Sequence, residues 1–300
     1  MYVRDCGPEW PVPSFIVFDV DGVLLDVSAS YPEAVALAVR EFCLRRLGVS
    51  ASPYAAEHAV LWKDAGGFND DWDLAASVCL FLADRWEADQ WPVSVEDQRR
   101  FTRMVSAAGG GLEAVRAMCR VSRIEWQPSA IARWCMEFYG GSDGCPLMFG
   151  FSFDGGAPGL WHAEQPLLEP SALEQWRGRV AIFTGRNRGE LALALARIGL
   201  RDFFGAERCY TSDDGPRKPD PEGLSRLLGG LPPGEVLFVG DGIDDHEAAR
   251  RYRAHPGARP CRFAAVLGPS ARERSGRFVA AEADWLCTGV HALLQVLEGG

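Results

Sequence analysis

Asp19-Val20-Asp21-Gly22 is the first group of residues in the chain whose types and spacing suit catalysis. Two carboxylates two residues apart can divide a displacement at phosphorus: one attacks, and the other handles protons for the leaving group and then for water. The same pair has an ordinary reading, as solvated acids in a loop or as a helix cap. Thr184-Gly185-Arg186 offers a hydroxyl and backbone N–H groups that can cradle phosphate oxygens, with Gly185 allowing close approach. A threonine in such a place is common and alone says little. Lys218, in Arg217-Lys218-Pro219-Asp220-Pro221, is a cation in a proline-stiffened loop. It can offset charge on a nucleophile and a transferring phosphoryl group, although a single lysine is by default a surface residue. Gly240-Asp241-Gly242-Ile243-Asp244-Asp245 sets hard carboxylate oxygens in a glycine turn, which suits Mg²⁺. Asp244 and Asp245 also fit as an acidic cap for a following helix.

Each of these groups follows a short apolar run that reads as a strand buried on both faces: Phe15–Phe18, Val180–Phe183 and Val236–Val239, with a further run at Phe263–Leu267. Helical patterns lie between the runs: Glu190–Ile198 closed by Gly199, Pro221–Leu228 ending at Gly229-Gly230, and Asp245 to about Arg253. Alternation of strand and helix predicts a parallel sheet covered by helices. Ligands of such sheets bind at the carboxyl ends of the strands, where all the candidate groups fall. The span from about Val27 to Gln165 carries helical patterns only: Tyr31–Leu47, Ala55–Lys63, Trp72–Trp86, Val95–Ser106, Leu112–Arg120 and Pro128–Tyr139. It predicts an all-helical domain over 28–165, inserted into an α/β domain formed by 14–27 and 166–300. Gly140–Pro158 is glycine-rich and reads as the loop leading back.

Composition narrows the class. Of 300 residues, 47% are hydrophobic and 24% charged, which is ordinary for a globular chain. No run approaches the roughly 20 apolar residues of a membrane span. Met1–Ser14 has no apolar segment of the kind a signal peptide needs, so a cytoplasmic location is expected. Nine cysteines, an odd number without a Cys-x-x-Cys pair, point to reduced thiols rather than disulfides or zinc. A formal charge of −10 disfavours nucleic acid as a partner and leaves room for a small phosphorylated metabolite in one local cationic pocket.

The order Asp-x-Asp-Gly, Thr, Lys-Pro, Gly-Asp-x-x-x-Asp, each after an apolar run, resembles the haloacid dehalogenase superfamily over nearly the whole chain. The resemblance implies a Rossmann-like α/β core with an inserted α-helical cap. It implies a nucleophile at Asp19, a general acid/base at Asp21, and phosphoryl-binding groups at Thr184 and Lys218. It further implies Mg²⁺ held by Asp19, the backbone carbonyl of Asp21 and Asp241, with Asp245 orienting the metal or its water; Asp244 is extra. Superfamily members that displace halide lack the second aspartate, so Asp21 points to phosphoryl transfer through an aspartyl-phosphate. A phosphomutase uses the same four motifs, and an idle binding module keeps the fold; the intact motif residues speak against the latter.

Phe15–Tyr31, Lys63–Ala75 and Val239–Asp245 are similar to a subfamily IA group of phosphatases, some of which occur with histidinol-phosphate aminotransferase. Histidinol phosphate is accordingly one substrate to consider. Within Gly66–Asp73, Asn69 and Asp73 are candidates for bonding a substrate hydroxyl or amine. The segment reads equally as a helix cap at Asn69–Asp71 with Trp72 packed inside. Lys63 and His246 read as surface residues, and Asp26 as a helix cap or a hinge.

Overall fold

The structure, a computed structural model, describes residues 12–268 and 271–299. Most of the amino-terminal stretch read as carrying no leader, residues 1–11 with Cys6 and Pro11, therefore lies outside the described residues. The chain divides into two compact units, Met1–Asp26 with Gln165–Gly300, and Val27–Glu164.

The apolar run that precedes Asp19 forms β1 (Phe15–Phe18), buried along its length. After β2 (Leu25–Asp26) the chain enters the helical unit. There it builds α1 (Tyr31–Phe42), which continues into a turn of π-helix at Cys43–Leu47, then α2 (Ala59–Lys63) and α3 (Asp71–Glu87). α4 (Val95–Ala107), α5 (Gly111–Met118) and α6 (Pro128–Met148) complete it. β3 (Gln165–Pro166) returns the chain and pairs antiparallel with β2, so Asp26 lies opposite Gln165 rather than at a helix end. The remaining elements alternate: β4 (Val180–Phe183), α7 (Arg188–Ile198), β5 (Cys209–Tyr210), α8 (Glu222–Gly229), β6 (Val236–Gly240), α9 (Ile243–Arg253), β7 (Cys261–Val266), α10 (Ala271–Ala280), β8 (Trp285–Cys287) and α11 (Val290–Gly299).

Six strands form one sheet in the order β5-β4-β1-β6-β7-β8, every neighbouring pair parallel. This is the α/β parallel sheet that the alternating pattern predicts. β1 is central, with Val17 in register with Ala181 on one side and Phe238 on the other. The chain builds outward from β1 to β4 and β5, then crosses to β6, so the carboxyl end of β1 lies at the switch point. Phe183, Phe238 and Phe263 pack with Leu224 and Leu228 beneath it.

The glycine-rich stretch after Tyr139 is not all loop, contrary to expectation. Gly141 breaks α6 with φ 63°, and a second helical segment then runs to Met148. Pro146 lies inside that second segment. Two-residue β5 and the strand β8 carry too little apolar pattern to be read from sequence.

Trp62, Phe81 and Phe101 centre the core of the helical unit, the two phenylalanine rings stacked at 4.5 Å and the Trp62 Nε1–H donating to Gln98 Oε1 at 3.2 Å. The glycine triplet has a role here. Gly111 N–H donates to Gly66 O at 2.9 Å, and a Cβ on Gly110 would stand 2.3 Å from that same oxygen, so two turns meet backbone to backbone. Among the described residues, no helix is long and apolar enough to cross a membrane.

At the end of α3, the Glu87 carboxylate accepts the backbone N–H groups of Ser122 (3.0 Å), Arg123 (2.5 Å) and Ile124 (2.7 Å), pinning the loop before α6. Loss of water pushes this carboxyl up, but the three N–H groups outweigh that and hold it at about 2 against an ordinary 4.5. A carboxyl depressed in the folded state stabilises fully above its unfolded value and ceases to do so as pH falls through the folded one. Glu87→Gln should therefore melt below wild type at neutral pH, and the gap should close as melts are taken from pH 4.5 down to pH 2.

Candidate active site

Carboxyl ends of three adjacent strands bring the motif residues together. Asp19 follows β1, is 6% exposed, and donates its backbone N–H to Val239 O of β6 at 2.8 Å. Thr184 follows β4, is buried, and donates its N–H to Tyr210 O at 3.0 Å. Asp241 follows β6. Lys218, on the loop before α8, reaches in with only 4% exposure. Its Nζ lies 3.0 Å from Asp19 Oδ1 and 2.5 Å from Asp245 Oδ1, over the rings of Phe183 and Phe238. It is no surface lysine.

Burial alone would lower the Lys218 ammonium, but Asp19 and Asp245 outweigh it and hold the group above its ordinary value. Burial drives Asp19 the other way, well above the usual carboxylate range, with Lys218 opposing and Asp245, Asp21 and Asp241 adding to the rise. Acidic groups thus outnumber the one lysine around Asp19. Asp19, Asp241 and Asp245 each place a carboxylate oxygen within 4.8 Å of the others. An all-oxygen set with surplus negative charge fits a hard divalent cation such as Mg²⁺.

Turns without side chains make this convergence possible. Gly22, at φ 70°, closes the loop after Asp21 through its N–H to Leu25 O at 2.8 Å. A Cβ at Gly22 would stand 2.3 Å from Asp241 Oδ2. A Cβ at Gly240 would likewise meet the Asp245 side chain at 2.5 Å. Asp245 itself sits at the third position of α9, its Oδ2 accepting the Gly242 N–H at 2.8 Å. One Asp245 oxygen serves the cap, and the other accepts from Lys218.

Between β4 and α7, the Arg186 N–H donates to Thr184 Oγ1 at 3.2 Å, and Asn187 caps α7 by accepting the Glu190 N–H at 2.8 Å. A helix N-terminus behind Thr184-Gly185-Arg186 favours anions there. The Arg186 side chain is buried and its Nε contacts Asp21 Oδ1 at 2.8 Å, a pairing the sequence gives no sign of.

Asn69 and Asp73 lie in the helical unit, on the turn before α3 and in its first turn. The capping role falls to Asp70, which accepts the Trp72 N–H at 2.8 Å. Asn69 Nδ2 is buried without a hydrogen-bond partner, and Asp73 is exposed with its carboxyl pushed up by desolvation. Trp72 packs against Tyr31, Tyr139 and Phe149, and Lys63 pairs with Asp71 at 2.9 Å. His246, expected on the surface, is 3% exposed and lies edge-on to Phe263. α9 turns that side toward the sheet.

Comparison with known proteins agrees with this fold. A family model described as haloacid dehalogenase-like hydrolase matches residues 164–252, from β3 to α9. The phosphatase Tt82 from Thermococcus thioreducens is similar over 95% of this chain and 99% of its own, at 28% identity and a TM-score of 0.62. A haloacid dehalogenase-like hydrolase from Streptococcus pneumoniae shares the fold, at 16% identity and TM-score 0.51 over 94% of this chain and 98% of its own. Among curated proteins, an imidazoleglycerol-phosphate dehydratase from Phytophthora nicotianae is 25% identical over 241 residues, 80% of this chain. The chain spans 41% of that relative's length. The resemblance drawn from the four motifs is thereby borne out, with residues 164–252 matching the haloacid dehalogenase-like hydrolase model.

Gly22→Ala tests the close approach to Asp241. The substitution forces a left-handed alanine, at a cost of about 1–2 kcal/mol, and displaces the Asp241 carboxylate. Mg²⁺ affinity measured by titration calorimetry should fall at least about tenfold, and wild-type affinity in this variant would contradict the geometry.

Proposed function

We propose that this chain is a Mg²⁺-dependent phosphatase that hydrolyses a small phosphate monoester through an aspartyl-phosphate on Asp19. The observation that carries this reading is the buried Asp19 carboxylate, at the switch point of the sheet, with Lys218 Nζ at 3.0 Å. In this reading an Asp19 oxygen attacks phosphorus while Asp21 gives a proton to the departing alkoxide. Asp21 then takes a proton from the water that hydrolyses the acyl phosphate, restoring both carboxyls. Thr184 Oγ1 and the backbone around Gly185 and Arg186 hold phosphoryl oxygens, and Lys218 offsets their growing charge. Asp19, Asp241 and the Asp21 carbonyl would hold Mg²⁺, with Asp245 orienting it, since both Asp245 oxygens already have partners. Bound there, the ion neutralises phosphoryl charge and aligns the ester with the nucleophile.

The alcohol part of the ester belongs to a small metabolite, with Asn69 and Asp73 as its proposed contacts. One relative's name refers to an imidazole-bearing phosphate, which supports including histidinol phosphate in a substrate screen. Phosphate release should be measured across a panel of phosphorylated metabolites with Mg²⁺, then with EDTA, then with Asp19→Asn. EDTA should abolish release, and Asp19→Asn should lower it by about a thousandfold or more. Undiminished turnover by Asp19→Asn would sink the nucleophile assignment. Isomerised product without free phosphate would mark a mutase, and silence across the panel an idle module.

A further inference from the structure

Arg186 comes from the loop after β4 and Asp21 from the loop after β1, yet their side chains meet. Arg186 Nε stands 2.8 Å and Nη2 2.7 Å from the same oxygen, Asp21 Oδ1. The arginine side chain is 1% exposed and that of Asp21 31%. The arginine backbone is fixed as well: its N–H donates to Thr184 Oγ1, and its carbonyl accepts the Ser212 N–H at 3.0 Å. Its backbone is therefore anchored between the end of β4 and the turn after β5.

The way the two side chains meet matters more than the fact that they do. A guanidinium gripping a carboxylate fork to fork contacts both oxygens and leaves neither open. Here Nε and Nη2 both approach Oδ1, so the carboxyl is held by that oxygen. Fixing Oδ1 fixes χ1 and χ2 of Asp21 and so sets where Oδ2 stands. Side-chain placement to within about 0.5 Å separates a working proton donor from an idle one. A phosphate-gripping arginine would instead direct these donors at the phosphoryl site.

We propose that Arg186 is a positioning residue, which clamps Asp21 by Oδ1 so that Oδ2 exchanges the proton with the leaving-group oxygen. The inference rests on the reading of Asp21 as general acid/base. It assigns the Arg186 side chain to the leaving-group side of the reaction, while its backbone stays with the phosphoryl group.

Leaving groups provide the test. p-Nitrophenolate departs without a proton, whereas an alkoxide needs one, so loss of acid positioning is felt by alkyl esters far more than by the aryl ester. Steady-state kinetics on the Mg²⁺-loaded full chain would compare p-nitrophenyl phosphate with the best alkyl phosphate of the panel. Arg186→Met is expected to lower kcat for the alkyl ester about a hundredfold with KM nearly unchanged, and to spare the aryl ester largely. Arg186→Lys should recover part of the loss, because an ammonium supplies the charge without the planar fork. Adding Arg186→Met to Asp21→Asn should cost nothing further, because the clamp acts only through Asp21.

A parallel rise in KM for both esters would overturn the proposal and make the side chain a phosphate ligand. Additive losses in the double variant, or undiminished alkyl-ester turnover by Arg186→Met, would overturn it equally. Melting curves accompany each variant. Should Arg186→Met unfold at the assay temperature, Arg186→Lys with and without Asp21→Asn supplies the same comparison. Wild-type protein that hydrolyses neither ester would remove the phosphatase reading and this inference together. An active wild type without the leaving-group split removes this inference alone.

Discussion

A lysine ammonium with 4% exposure stays charged in a protein core only where carboxylates stand against it, and Lys218 has Asp19 at 3.0 Å and Asp245 at 2.5 Å. Much of the site follows from that triad. Asp19 ends β1, Asp245 lies in the first turn of α9, and Lys218 arrives on the loop before α8, so the ion pairs tie three separate segments of chain. Removing Lys218 leaves two buried carboxylates without their cation. The carboxylates outnumber the lysine, so the pocket keeps a net attraction for a further cation even after its internal pairs are made.

Backbone geometry permits this crowding. Carboxyl groups repel one another and need space, and the space here is taken from glycines. Gly22 lets Asp241 come within 2.3 Å of where a Cβ would be, and Gly240 does the same for Asp245. Each glycine belongs to the same motif as a catalytic candidate. The motif spacing therefore encodes two things at once: which acids are present and which neighbours must have no side chain. The same economy recurs in the helical unit, where Gly66-Gly67 and Gly110-Gly111 let two turns hydrogen-bond through their backbones.

The core of the site was legible because its parts are locally encoded. Phe15–Phe18 and Val236–Val239 are apolar runs long enough to read as buried strands, and the polar residue that ends each run lands at the carboxyl edge of the sheet. Gly199 marks the end of α7 by taking the left-handed conformation its position requires. What was not legible depends on contacts distant in sequence. β5 is two residues long and exists as a strand because β4 lies beside it. His246 looked like a surface residue because its helix is rich in charge, but the sheet side of α9 covers it. Gly140–Pro158 has a loop's composition and still carries a helical segment once Gly141 has turned the chain. The Arg186–Asp21 contact spans 165 positions and has no local signal at all.

That last contact bears on where selectivity resides. In the phosphatase reading, Thr184, Lys218 and the carboxylates that would hold Mg²⁺ all act on the phosphoryl group, which every monoester shares. They cannot tell one alcohol from another. Among the core residues of that reading, Asp21 alone reaches the leaving oxygen, and it sees a proton acceptor rather than the carbon skeleton behind it. Discrimination between alcohols must then come from polar groups outside the four motifs. Asn69, with a buried amide nitrogen that has no partner in the helical unit, is the kind of group that pays a desolvation penalty unless a ligand relieves it. A site that hydrogen-bonds a substrate group rejects analogues lacking it far more strongly than an apolar pocket does. Chemistry and selectivity are thus encoded differently in this chain. In that reading the first is carried by short motifs at strand ends, and the second falls to side chains outside them.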